Sequence, residues 1–206
     1  ITETPEACKS LVDKYQDKHH KDRVFEVAWT HSQVVLRQIN ASEADAQLYG
    51  RLASSILFNN TAFRADPSVL INNHRQQSGL WSYSISGDLP IVLLKIEKQT
   101  NMHLVKQMVQ AHAYWSLKGL AVDLVIWNEE QNIYRQSFQN EIQSLIPPEI
   151  RDCPGGIFIR VSEQISNEDR ILLQSVARVN ITDNEKLEDF VKRQPVPKPV
   201  IPYIIP

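Results

Sequence analysis

Gln77-Ser-Gly-Leu-Trp-Ser-Tyr-Ser-Ile-Ser-Gly-Asp-Leu-Pro-Ile-Val-Leu-Leu-Lys-Ile96 separates two styles of sequence. Ser78-Gly79 and Ser86-Gly87-Asp88 are turn signals. Ile91-Val92-Leu93-Leu94 is short, continuous and partly β-branched, the pattern of a strand covered on both faces. Before this stretch the chain reads as helices. After it, strands and helices alternate. Asp88 is the one carboxylate in a glycine-containing turn at the mouth of the strand.

Downstream, a strand is predicted over 89–96 and a helix over 101–118. That helix turns Leu104, Val105, Met108, Ala111, His112 and Trp115 inward and stops at Gly119. A strand over 121–127 follows. A helix over 134–146 then carries Tyr134, Phe138, Ile142 and Leu145 inward and ends at Pro147-Pro148. The strand at 156–161 is followed by a helix opened by the capping pattern Ser166-Asn-Glu-Asp169. A short strand at 178–181 precedes a last helix, capped by Thr182-Asp-Asn-Glu185. Strand and helix repeated four times predict an α/β fold: a small, mainly parallel four-stranded sheet with right-handed crossovers and flanking helices.

Residues 1–60 read as a three-helix segment packed on that sheet domain. Thr4-Pro5-Glu6 supplies an N-cap and a first-turn proline. A second helix over 22–39 places Phe25, Ala28, Trp29, Val35, Leu36 and Ile39 on one face. A third opens at Ser42-Glu-Ala-Asp45 and buries Leu48, Tyr49, Leu52 and Ile56. Residues 61–88 are a connecting region in which Asp66-Pro67-Ser68 starts a short helix. Trp81 and Tyr83 alternate with Ser82 and Ser84 there, the pattern of a short strand. Residues 89–193 form the α/β domain. The tail 194–206 has five prolines in 13 residues and reads as an extended linker.

Composition bounds the rest. A chain of 206 residues, 42% hydrophobic and 22% charged, has room for a sizeable core. A net charge of −2 gives no basic footprint for nucleic acid. No apolar run approaches the roughly 20 residues that span a bilayer, so direct membrane insertion is not expected. Cys8 and Cys153 lie 145 positions apart and read as free thiols. His103 and His112 fall on opposite faces of one helix, and His19-His20 reads as part of a solvated turn over 17–22. No Cys/His spacing suits zinc, and no glycine-rich phosphate loop precedes a helix, so no cofactor is expected.

The quoted stretch resembles a segment of the bacterial cyclic β-1,2-glucan synthetases, as do three others: Ala28-Trp-Thr-His-Ser-Gln-Val-Val-Leu-Arg37, Ala44-Asp-Ala-Gln-Leu-Tyr-Gly-Arg-Leu-Ala-Ser54 and Gln110-Ala-His-Ala-Tyr-Trp-Ser-Leu-Lys-Gly-Leu-Ala-Val-Asp-Leu-Val-Ile126. These are very large inner-membrane enzymes whose C-terminal part belongs to glycoside hydrolase family 94, the inverting sugar phosphorylases. The resemblance implies an internal piece of such an enzyme, on the cytoplasmic side of the inner membrane. Its partners would be neighbouring domains of the same polypeptide, and β-1,2-glucan.

The strands after Asp88 do not suit an all-helical catalytic barrel, and no general-acid or transferase motif is matched. The expectation is therefore an accessory domain without activity alone, bracing the phosphorylase part or contacting the glucan. A second reading is a carbohydrate-binding or glycoside-processing domain built on Asp88, Trp81, Tyr83 and Arg75. Aromatic faces suit sugar C–H faces, and carboxylate and guanidinium groups bind hydroxyls. The plainer reading of the same residues is two core aromatics and a turn-capping acid. A third reading is an interaction scaffold using the 59–88 region and the tail.

Overall fold

The computed structural model describes residues 4–130 and 135–194. The chain divides into two compact units after Glu43. The first holds α1 (Pro5–Gln16) and α2 (Lys18–Gln38). Thr4 caps α1 by accepting a hydrogen bond from the Ala7 amide at 3.2 Å. Asp17 breaks the helix with extended backbone and then caps α2, accepting from the His19 amide at 2.9 Å. The 17–22 stretch, expected as a turn, is thus the first turn of α2. One residue with a capping carboxylate is enough to restart a helix. Phe25 and Trp29, expected on an inward face, are 65% and 67% exposed. Helical spacing marks a face that favours cover without naming what covers it.

The second unit begins within the first turn of α3 (Glu43–Phe58), followed by a 3-10 turn (Thr61–Phe63), α4 (Pro67–Ile71) and α5 (Ser78–Trp81). Then come β1 (Ile91–Ile96), α6 (Met102–Leu117), β2 (Asp123–Asn128), α7 (Arg135–Ser144), β3 (Ile157–Val161), α8 (Asn167–Val176), β4 (Val179–Thr182) and α9 (Leu187–Phe190). The α3 helix is pinned to α6. The Trp115 indole donates to the Tyr49 carbonyl at 2.9 Å, and the Tyr49 hydroxyl donates to Gln110 Oε1 at 3.3 Å.

The four strands pair in the order β3-β2-β1-β4, every pair parallel. Right-handed crossovers send α6 and α7 to one face of the sheet. The β3-to-β4 connection runs back the other way, so α8 lies on the opposite face. There Ile91, Leu93, Val125, Trp127 and Phe158 pack with Leu80, Ile85, Leu172 and Leu173. Every residue of β2 is buried, which is why this segment reads as a continuous apolar run rather than an alternation. Burying each such Leu, Ile or Val stabilises the fold by about 1.5–3 kcal/mol.

Two more expectations are corrected. The alternating Trp81–Ser84 segment is no strand. Ser78–Trp81 is a helical turn, closed by Tyr83 and Ser84 amides donating to the Leu80 and Trp81 carbonyls. It buries Leu80 rather than the two aromatics, and four alternating residues are too few to tell the two periods apart. The last helix is a single turn preceded by Lys186, with no side-chain cap. Thr182 belongs to β4, and the Asp183 carboxylate is engaged elsewhere. Tyr134 and the proline-rich tail beyond Gln194 lie outside the described residues.

Candidate functional site

In an open parallel sheet, ligands favour the crevice at the carboxyl edge where strand order reverses. Here that point lies between β1 and β4. It is filled from within. The Asp183 carboxylate accepts from the Glu97 amide at 3.1 Å, the Lys98 amide at 2.9 Å and the Asn101 side-chain amide at 3.0 Å. The backbone donors that would meet an anionic ligand are therefore already satisfied. Beside them, burial pushes the Glu129 carboxyl above its ordinary range, and Lys95 partly offsets this. Asn128 is fully buried. Its Oδ1 accepts from the Glu130 amide at 3.0 Å, and its side-chain nitrogen has no partner among the described residues.

The amino edge is different. A cleft of about 540 Å³ lies between the 87–91 turn, the 73–77 loop, the end of α3 and α8. Asp88, Asn73, Arg75, Gln77 and Arg178 provide its polar groups, and Leu80, Leu172 and Val176 part of its apolar wall. The Gln77 side-chain amide donates to the Ser86 carbonyl at 2.8 Å and to Asp88 Oδ1 at 3.1 Å, tying the turn to the loop. Gly87 sits at φ +78°, and a Cβ there would come within 3.0 Å of Gln77 Cγ and 2.9 Å of Leu80 Cδ1. Glycine therefore permits both the left-handed turn and its close seat on Gln77.

Of the four residues singled out in the sequence, the cleft gathers Asp88 and Arg75 and leaves out Trp81 and Tyr83. Arg75 is anchored at the rim, its Nε 2.8 Å from Glu168 and 3.7 Å from Asp169. Trp81 is 63% exposed beside the turn, its indole donating to the Ser86 carbonyl at 3.3 Å. Tyr83 is turned away. Its hydroxyl donates to Asp169 Oδ2 at 2.9 Å, and its carbonyl accepts from Arg160 Nε at 3.1 Å. Neither is the core aromatic of the plainer reading: Tyr83 is partly buried at the edge of the core and Trp81 is out in solvent.

Sequence reasoning missed Gln77, although it stands within the quoted stretch. Arg178 carries no local signal. Parallel pairing of β4 with β1 brings it to the cleft, its amide donating to the Ile91 carbonyl at 2.7 Å.

Two further polar side chains, Asp123 and His112, are buried beside the 155–156 turn. Asp123, at the start of β2, accepts from the Gly155 amide at 2.7 Å. Burial pushes its carboxyl up, and the neighbouring Asp88 charge pushes in the same direction. His112 Nε2 lies 3.1 Å from the Val122 carbonyl and 3.0 Å from the Gly155 carbonyl. Two acceptors at one nitrogen require the proton there. Burial pulls the pKa of this ring down, so it stays neutral. Both groups hold the 155–156 turn against the sheet. Among the described residues, no group of three or more His, Cys, Asp or Glu side chains is placed to hold a metal ion. No described helix is long and apolar enough to cross a membrane. Cys8 and Cys153 are both free.

Together these features define an α/β domain with a parallel β3-β2-β1-β4 sheet, a self-filled carboxyl-edge crevice and a mixed-polarity cleft at the amino edge. No protein-family model matches the chain. Over 140 residues it is 28% identical to the cyclic beta-(1,2)-glucan synthase NdvB of Rhizobium meliloti. The similar stretch is 68% of this chain and 5% of that protein.

Proposed function

We propose that this chain is an accessory, non-catalytic domain of a cyclic β-1,2-glucan synthase-like enzyme. It braces the neighbouring domains, a family 94 phosphorylase part among them, at the cytoplasmic face of a bacterial inner membrane. The observation that carries the reading is the similarity over 140 residues to a small part of a very long glucan synthase. The internal pairing of the polar groups supports it. Asp183 fills the usual ligand crevice, Gln77 holds one oxygen of Asp88, and Arg75 is tied to Glu168 and Asp169.

The test is incubation of the chain with β-1,2-glucan oligosaccharides and inorganic phosphate. The expected result is no release of glucose 1-phosphate. Turnover that disappears in Asp88→Asn would overturn a non-catalytic role.

A second reading, direct contact with the glucan, is favoured by one observation. Trp81 presents an exposed indole beside the Asp88 turn, a surface suited to stacking on a sugar ring. In this reading Trp81→Ala abolishes saturable fluorescence and amide shifts with the same oligosaccharides. Unchanged shifts in the variant would remove Trp81 from it.

A further inference from the structure

We propose that the amino-edge cleft binds a hydroxyl-rich ligand carrying one anionic group, a sugar phosphate or sugar carboxylate, with Arg178 on the anion and Asp88 on a hydroxyl. The motivating observation is an ion pair that does not form. Arg178 and Asp88 line the same cleft, yet the Arg178 guanidinium has no hydrogen-bond or ion-pair partner among the described residues. Each is held by its own surroundings. Arg178 is fixed at the start of β4, where its amide donates to the Ile91 carbonyl at 2.7 Å. Asp88 is held by Gln77, which occupies Oδ1 and leaves the other oxygen as an acceptor.

The structural work open to an arginine here is done by a different one. Arg64 donates to the Ser175 carbonyl at 2.6 Å and the Val176 carbonyl at 3.5 Å, and so caps the C-terminus of α8. Arg178 lies close enough to Arg64 for their charges to repel. Of these two neighbouring guanidinium groups only Arg178 lines the cleft, and only Arg64 has acceptors among the described residues. At the rim, Arg75 is already matched by Glu168. Arg178 is therefore the unmatched cation of the cleft, and Asp88 its open acceptor, with buried Asp123 near Asp88. A ligand that meets both groups needs an anion for Arg178 and a donor for Asp88.

Leu80, Leu172 and Val176 give it an apolar wall. The volume of about 540 Å³ lies within the range of small-molecule sites. Among the described residues no aromatic side chain lines the cleft, so stacking on Trp81 is a separate event. This inference stands apart from the glucan reading.

The experiment is an amide NMR titration of the chain with glucose 6-phosphate and with glucuronate; glucose and inorganic phosphate are the controls. Saturable shifts over residues 87–91 and 172–178 are expected with an anionic sugar. Glucose alone and phosphate alone should bind about tenfold or more weakly, because each satisfies only one of the two groups. Arg178→Gln should weaken the anionic sugar by about tenfold or more and leave the remaining amide spectrum in place. If only one of the two anionic sugars binds, the site stands and that anion is its ligand. The inference is overturned if neither shifts these residues at millimolar concentration, if free phosphate binds as tightly as its sugar ester, or if Arg178→Gln changes nothing. β-1,2-glucan shifts at Trp81 support the glucan reading whichever way the anionic sugars fall, so the two can fail separately.

Discussion

Three glycine-to-alanine changes separate backbone strain from close packing at the turn that carries Asp88. Gly50 lies on the exposed side of α3, and no atom comes within 4 Å of where a Cβ would stand. Gly50→Ala should stabilise the fold by about 0.5–1 kcal/mol through helix propensity alone. Gly119 ends α6 at φ +82°, again with nothing within 4 Å of an added Cβ. Gly119→Ala therefore carries only the left-handed backbone penalty, about 1–2 kcal/mol.

Gly87 shares that penalty at φ +78° and adds contacts at 2.9 Å to Leu80 Cδ1 and 3.0 Å to Gln77 Cγ. Leu80 is buried and cannot swing clear, so overpacking adds about 1–3 kcal/mol. The expected total for Gly87→Ala is about 2–5 kcal/mol. Urea unfolding of the parent chain and the three variants, fitted with a common m-value, measures all three differences. If Gly87→Ala destabilises no more than Gly119→Ala, the 87–88 turn is not seated on Gln77 and Leu80. The account of how Asp88 is positioned then fails.

Two other perturbations probe the ends of the sheet. Burial raises the Asp123 carboxyl, so the folded chain binds its proton more tightly than the unfolded chain does. Stability from this group is present at acid pH and falls as pH rises from the ordinary carboxylate value of 3.8 through the raised folded pKa. Asp123→Asn keeps an acceptor for the Gly155 amide and should flatten that fall, whereas parallel pH–stability curves would contradict it. At the opposite edge, Asp183→Ala removes the acceptor of three donors that water can partly reach, and should destabilise by about 1–3 kcal/mol. Amide exchange at Glu97 and Lys98 should accelerate in this variant, and unchanged protection would show that their donors are satisfied elsewhere.

The order and type of the main elements of the α/β unit were legible from residues close together in the chain. The apolar run 91–94, the Ser166 capping pattern and the Gly119 stop are local codes, written within one or two turns of chain. The parallel sheet followed from them, because a strand, a helix and another strand connect in one hand. Local codes also located Asp88 in a glycine turn, where the structure has it.

Other outcomes belong to the folded chain, because they depend on residues far apart in sequence. Leu80 enters the core and Trp81 does not, because Leu172 and Leu173 of α8 come to lie over the 78–81 turn. Asp183 fills a crevice rather than capping a helix, because β4 ends beside the Glu97 and Lys98 amides at the end of β1. The exposed Phe25 and Trp29 stripe shows the same dependence, since helical spacing alone supplies no covering surface. The cleft itself is of this kind. Arg178 lines the same cleft as Asp88 because β4 returns to pair with β1, a pairing that no window of sequence around either residue contains.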